Sequence, residues 1–448
     1  MQSVTAEPAR APALRSELPP GSRLPAAAQT LWYISRPETF VRQMRARYGD
    51  PFTIHASNGV LVAACSPALA KQVFTADPAI FRTFGTDTLA PVLGSGSVLL
   101  TWGEPHKRSR KLLQPPFHGA RMRAYGSAMQ EVAKAAFSSF SAGARLKAHD
   151  VTTQISLDVI LRTVFGLEGA GLEEGRTMLR AVLAGISPLV VFSKQFQTPV
   201  FPPWRRLLKA REAYAGLVER VVTERRRSGK HGEDILGMLL DATWDDGREM
   251  SLEEIGDQLL TLLVAGHETT AISLAWAVHD VYRRRDVLSR LREEIGTLGS
   301  NPEPDALAKL PFLGAVCDES LRLRPIVTDV PRMLLEPFEL GGYRVPAGVG
   351  VGVMIEAIHS DPSIYPEPEK FRPERFLEKK PGPFEFLPFG GGNRRCLGAA
   401  FSDYEARVVL ATLVMSLDLK PLVEDTRVRR NITMGPKLGV PVEVTRRR

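Results

Sequence analysis

The stretch FLPFGGGNRRCLGAA, residues 386–400, sets Cys396 between a glycine–arginine cluster and the start of an apolar helix. Gly390, Gly391 and Gly392 permit a tight turn and close approach of the backbone to a flat object. The amides of a helix start, with Arg394 and Arg395 beside them, favour a thiolate at Cys396. Such a thiolate is a nucleophile or an axial metal ligand; taken alone, the stretch fits a buried structural cysteine at least as well. A disulfide framework is disfavoured, because Cys65, Cys317 and Cys396 are few, odd in number and far apart.

A second candidate is AGHETT, residues 265–270, where Glu268 and Thr269 put a carboxylate and a hydroxyl side by side. Gly266 weakens the helix locally, and a Thr hydroxyl that takes a backbone carbonyl bends it, so an opened turn is expected. Zinc-protease chemistry needs a second His four residues after His267; Ala271 stands there, and that reading fails. In ESLR, Glu319 and Arg322 share one helical face, and FRPERF supplies Arg375 from an irregular segment. Two arginines around one carboxylate form a network able to dock that segment. His106 and Arg110 lie one helical turn apart in WGEPHKRSR, and Arg332 and Arg394 are further cations suited to paired carboxylates.

These side chains need a scaffold, and the periodicities supply one that is mostly helical with small sheets at its edges. Apolar spacing predicts helices over 67–75, 105–114, 121–140, 150–166, 205–228 and 233–241. Ser251 and Glu254 form a capping box that opens a helix of about thirty residues, longer than the usual range. Pro325 stops a helix over 312–324; strands are expected at 338–346 and 349–355, and an apolar helix runs from Cys396 to 416. A hairpin over 51–66 turns at Asn58-Gly59.

The chain has 448 residues, 44% hydrophobic and 24% charged, enough for a deep core and an enclosed cavity. Residues 1–30, rich in Pro, Ala and Arg, read as a flexible arm, and 31–448 as one domain. No run in the arm is long and apolar enough for a membrane span, so a soluble, cytoplasmic protein is expected. The net charge of +8 suits an acidic protein partner; without RNA-binding or zinc-finger spacing it does not indicate nucleic acid.

AGHETT, ESLR, FRPERF and FGGGNRRCLG, in that order, resemble the cytochrome P450 family over residues 30–445, the last fitting F-G-x-G-x-R-x-C-x-G. The resemblance implies a mainly α fold with small β-sheets, a triangular helical prism around a buried haem. It implies haem b with Cys396 as thiolate ligand, Phe389 and Ala265 near the ring, and His106, Arg110, Arg332 and Arg394 on the propionates. Glu268 and Thr269 match the distal acid–alcohol pair that delivers protons as dioxygen is split, and Glu319, Arg322 and Arg375 the structural triad. His267 fills a variable position, and Trp102 is left as a packing residue.

The implied activity is haem-thiolate monooxygenation: hydroxylation or epoxidation with O2 as co-substrate. Electrons come from a separate ferredoxin or flavodoxin with its NAD(P)H-dependent reductase, whose acidity suits the basic surroundings of Cys396. The protein is expected as a monomer. Substrate-contacting stretches, with Leu262, Ala265, Val327, Val330 and Thr433, are mostly apolar, pointing to a terpenoid, steroid or fatty acid. Residues 185–203 read as lid packing, against the alternative of membrane or partner contact. A peroxide-driven peroxygenase would not need the Glu268–Thr269 pair, and a non-catalytic haem sensor or carrier would need no scission machinery at all.

Overall fold

The computed structural model describes residues 18–448 except 118, 119, 187–189, 191–193 and 431. Eight helices position the site: α1 (Pro67–Thr75), α2 (Gly103–Leu113), α3 (Ala120–Ser138), α4 (Ala148–Phe165), α5 (Pro202–Ser228), α6 (Leu252–Tyr282), α7 (Pro311–Leu323) and α8 (Ala399–Ser416). A five-stranded sheet is built from β1 (Phe52–Ala56), β2 (Gly59–Ala64), β3 (Phe81–Thr83), β4 (Asp329–Leu334) and β5 (Gly350–Met354). Its order is β1-β2-β5-β4-β3, with β2 and β5 parallel and the other pairs antiparallel.

Helix α6 is the axis of the molecule. The Ser251 hydroxyl accepts the Glu254 amide at 3.1 Å, and Glu254 reaches back to the Ser251 amide at 2.7 Å. Arg248 grips the same carboxylate at 2.8 and 2.9 Å and, with those bonds, holds its pKa down at about 2. The helix is long and apolar enough to cross a membrane, but 67% of its most apolar window is buried inside the fold. Trp276, Ile272, Leu274 and Val278 carry that apolarity into the main core.

Close approach of α4 is possible because Gly266 has no side chain: a Cβ there would stand 2.9 Å from Ile160 Cδ1. The Thr152 hydroxyl then donates to the Ala271 carbonyl at 2.8 Å. On another face Thr270 meets Ser402 of α8, hydroxyl to hydroxyl, at 3.2 Å.

Several expectations shift. The first hairpin turns at Ser57-Asn58, because Gly59 is already paired with Ala56 and opens β2. Helices at Ala26–Ser35, Pro37–Tyr48, Gly169–Gly185 and Arg285–Gly296 were not foreseen. In the third of these Gly175 is a packing surface rather than a break, since a Cβ would press on Leu167 and Leu161. Residues 18–30 of the expected arm are docked: the Thr53 amide donates to the Pro20 carbonyl, and buried Gln29 ties down the carbonyls of Ser22 and Leu24. Residues 1–17 of that arm lie outside the described residues.

Candidate active site

Two surfaces make the site, one on α6 and one at the cysteine loop. Ala265 is exposed in the middle of α6, while Leu263 and His267 on either side are buried. Cys396 is likewise exposed, yet burial among protein atoms pushes its thiol pKa up against the Gly398 amide and the charges of Arg395 and Arg110. That exposure leaves the sulfur reachable by a ligand. Cys65 and Cys317 are core residues, with thiols pushed up chiefly by burial. A coordinating metal deprotonates a thiol outright, so the raised affinity concerns only the free thiol.

The loop before Cys396 is held from three directions. The Cys396 amide donates to the Phe389 carbonyl at 2.9 Å, and Arg395 lies 5.9 Å from the Phe389 ring centre. Gly392, at φ 65°, would place a Cβ 2.0 Å from the Phe74 carbonyl oxygen, so only glycine lets this loop sit on α1. Arg394 donates to the carbonyls of Leu99, at 3.2 Å, and Thr101, fastening the loop to the entrance of α2.

Arg394 thereby joins His106, Arg110 and Arg332 in one cluster of basic groups. Burial, then Arg394, Arg110 and Arg332 in that order, press His106 down to about 4, so it is neutral at neutral pH. Burial followed by a neighbouring arginine lowers Arg332 and Arg394 to about 10 each. Arg332 donates to the Val73 carbonyl at 3.1 Å between the rings of Phe74 and Phe81, while its Nη2 is buried without a partner. An orphaned guanidinium nitrogen among mutually repelling cations fits a ligand with two carboxylates. Trp102, expected to pack, is instead 40% exposed just before α2.

Beneath the loop lies the Glu319 network. Glu319 is fully buried; Arg322 grips it at 2.7 and 3.0 Å, Arg375 at 3.0 Å, and the Arg372 amide donates at 2.8 Å. Arg322 also donates to the carbonyls of His359 and Pro368, at 2.9 and 2.8 Å. His359 escaped the sequence reading. Burial, with Arg322 beside it, drives it down to about 3, and its neutral Nε2 accepts the Leu387 amide at 2.8 Å. The network thus reaches the cysteine loop through a histidine with no motif of its own.

On the opposite face, α6 runs unbroken through Ala265–Thr270, so the opened turn is absent. The Thr269 hydroxyl does back-bond, to the carbonyls of Ala265 at 2.8 Å and Gly266 at 3.4 Å. Burial raises the Glu268 pKa and Arg430 opposes it. Leu262, Val327 and Val330 are half-buried; Thr433 is buried, and the exposed side chain of its turn is Ile432.

The glycine-rich loop 94–98 is latched to α6 by residues the sequence reading overlooked. Asp257 accepts the Gly96 amide at 2.9 Å, Gln258 brackets Gly96 and Val98 at 2.6 and 3.0 Å, and Thr261 meets Ser97 at 2.7 Å. Arg211 of α5 stands 3.9 Å from Asp257 and donates to the Pro91 carbonyl at 2.5 Å. Part of 185–203 lies outside the described residues; Gln197 there donates to the Thr88 carbonyl at 2.7 Å.

Among the described residues no group of three or more His, Cys, Asp or Glu side chains is placed to hold a metal ion. A haem iron takes four ligands from its porphyrin and asks the protein for one axial ligand. The family profile described as cytochrome P450 matches residues 18–442. The chain belongs to the cytochrome P450 family.

It is 34% identical to cytochrome P450 138 of Mycobacterium tuberculosis (strain ATCC 25618 / H37Rv) over 99% of both chains. Identity to cytochrome P450 135B1 of Mycobacterium bovis is also 34%, over 95% of this chain and 91% of the relative. The retinoic acid-bound cyanobacterial CYP120A1 superposes with a TM-score of 0.86 at 25% identity, covering 97% of this chain and 100% of that one. The cytochrome P450DA haem domain, at 23% identity and a TM-score of 0.85, shares the fold. The P450 is thus a monooxygenase whose cofactor is haem b on a cysteine thiolate, with O2 as co-substrate.

Proposed function

We propose that this P450 hydroxylates or epoxidises an apolar substrate such as a terpenoid, steroid or fatty acid, as a cytoplasmic, monomeric enzyme with one catalytic domain that includes the docked residues 18–30. The observation that carries the site assignment is the reachable Cys396 beside a basic cluster with an unpartnered Arg332 nitrogen. Cys396 would hold the haem iron through its thiolate, and His106, Arg110, Arg332 and Arg394 would hold the propionates. The bound haem supplies dioxygen activation, with electrons from a ferredoxin or flavodoxin reduced by its NAD(P)H-dependent reductase.

The chain's own residues do the rest. Exposed Ala265 would leave room for the haem, and half-buried Leu262, Val327 and Val330 would offer apolar surface to the substrate. The loop 94–98 latch and α5 exclude bulk water from that side. Thr269 presents a hydroxyl already hydrogen-bonded to the Ala265 carbonyl, and Glu268 would hand a proton on to it. The retinoic acid seen in the cyanobacterial relative, a largely apolar isoprenoid, supports the substrate class.

The test of the ligand is the reduced, carbon monoxide-bound spectrum: a Soret band of the thiolate type is expected, and one typical of histidine ligation refutes Cys396. Thr269→Ala should divert electrons to peroxide at the expense of product, and unchanged product formation refutes the proton role. A spin-shift titration against terpenes, steroids and fatty acids identifies the substrate class.

A further inference from the structure

Arg430 opens the turn of the C-terminal hairpin, between the strands Arg427–Arg429 and Met434–Pro436. Its amide donates to the Thr433 carbonyl at 3.0 Å and its Nη2 to the Pro436 carbonyl at 3.1 Å. The side chain lies flat across Gly435: a Cβ at that glycine would stand 2.6 Å from Arg430 Nε and 3.4 Å from Ile272 Cδ1. The hairpin therefore delivers a guanidinium against α6 beside Ile272, one helical turn beyond Glu268. Nε is buried without a partner, and among the described residues Arg430 makes no ion pair.

The other groups around this spot leave that charge uncompensated. From α6, His267 is buried; from α4, His149 is buried; each has a ring nitrogen without a partner. Burial first, with Arg430 acting on His149 and His149 on His267, holds both at about 4, so neither carries charge at neutral pH. Asp425 is committed to the amides of Thr426, Leu438 and Val440. Asp150, beside His149 in the first turn of α4, is exposed. Glu268 itself is half-buried, and Arg430 is the charged group that acts on it.

We propose that Arg430 is a positioning residue for proton delivery: from the C-terminal hairpin it supplies a fixed cation against the stretch of α6 that carries Glu268 and Thr269, opposing the effect of burial on the Glu268 carboxyl. The inference rests on the proton role given above to Glu268 and Thr269. An ionised Glu268 collects a proton from the solvent side and hands it on; a permanently protonated one is not recharged with direction. Arg430 acts through Glu268.

The experiment measures product formed per NADPH consumed from pH 5.5 to 8.5, in the reconstituted haem-loaded enzyme, for wild type, Arg430→Lys, Arg430→Gln and Glu268→Gln. In parallel, the Glu268 carboxyl infrared band, assigned by its loss in Glu268→Gln, is titrated in the resting ferric protein. Arg430→Gln removes the charge while keeping a planar polar side chain. Its acid limb and infrared midpoint should both move to higher pH by about one pH unit, the scale set by one neighbouring charge. Arg430→Lys keeps the charge and should stay near wild type, and Arg430→Met removes the charge in its place if the glutamine variant does not load haem. An unmoved midpoint in the charge-free variant overturns the inference while leaving the role of Glu268 intact. A Glu268→Gln enzyme with wild-type coupling and pH profile overturns that role and the inference with it.

Discussion

Glu405, on α8 nine positions beyond the cysteine, is fully buried, and neither carboxylate oxygen has a partner. The hydroxyl of Ser156, on α4, is the polar group that acts on it, and burial still pushes the pKa from 4.5 to about 8. The group is thus a neutral acid at neutral pH. The folded chain holds this proton more tightly than the unfolded chain, so unfolding releases it between pH 4.5 and pH 8. The contribution to stability is complete below pH 4.5 and is lost as pH rises to 8. The slope is about 1.4 kcal/mol per pH unit, with a ceiling of about 5 kcal/mol across the window. Local relaxation and water penetration bring the expected loss to about 2–5 kcal/mol.

Glu405→Gln removes the titration with almost no change of shape. Urea unfolding of both haem-loaded proteins, followed by far-ultraviolet circular dichroism from pH 5 to 9, should give stabilities that diverge as pH rises. The variant should gain on wild type up to pH 8 and hold its lead above it. Asp318, raised to about 7 by burial and Asp403, falls in the same direction but does so in both proteins, so it cancels in the difference. Parallel stability curves between pH 5 and 8 would refute the reasoning, because they would mean that Glu405 finds a partner or water that screens it.

Other perturbations follow from the same contacts. Glu319→Ala leaves the Arg322 and Arg375 charges buried and should cost about 3–5 kcal/mol in denaturant unfolding, with haem lost more readily on dilution. Gly392→Ala forces a Cβ to 2.0 Å from the Phe74 carbonyl at a left-handed φ of 65°, so a loss of about 3 kcal/mol or more is expected, read as lowered thermal stability and poor haem loading. Asp257→Ala strands the Gly96 amide, at about 1–3 kcal/mol, and should speed substrate release in stopped-flow spin-state measurements. Asp257→Asn, which keeps an acceptor oxygen, should change both far less.

The parts of this fold that were legible in sequence are those whose cause is local. The Ser251–Glu254 capping box announces α6 because both partners of each bond lie within one turn. The ESLR pair is visible for the same reason, and its third member, Arg375, only because a motif marks it. His359 has neither advantage: its role arises from burial and from an amide 28 residues away, at Leu387. Helix Gly169–Gly185 was hidden by glycines that look like breaks until Leu161 and Leu167 close over them.

Charge is the harder case. The substrate-contacting stretches read as apolar, and a lone Arg430 beside them carries no pattern, since its meaning depends on Gly435 being bare and on Ile272 lying one turn past Glu268. Glu405 is equally silent: in a helical run an isolated glutamate reads as surface, and only the helix it packs against makes it a buried acid. Long-range burial pushes both carboxyls up, and so a motif can name Glu268 as a proton carrier without saying at which pH it carries one. Arg430, on the C-terminal hairpin more than 150 residues further along the chain, opposes that burial at Glu268, which makes the Arg430 titration the sharper probe of the distal machinery.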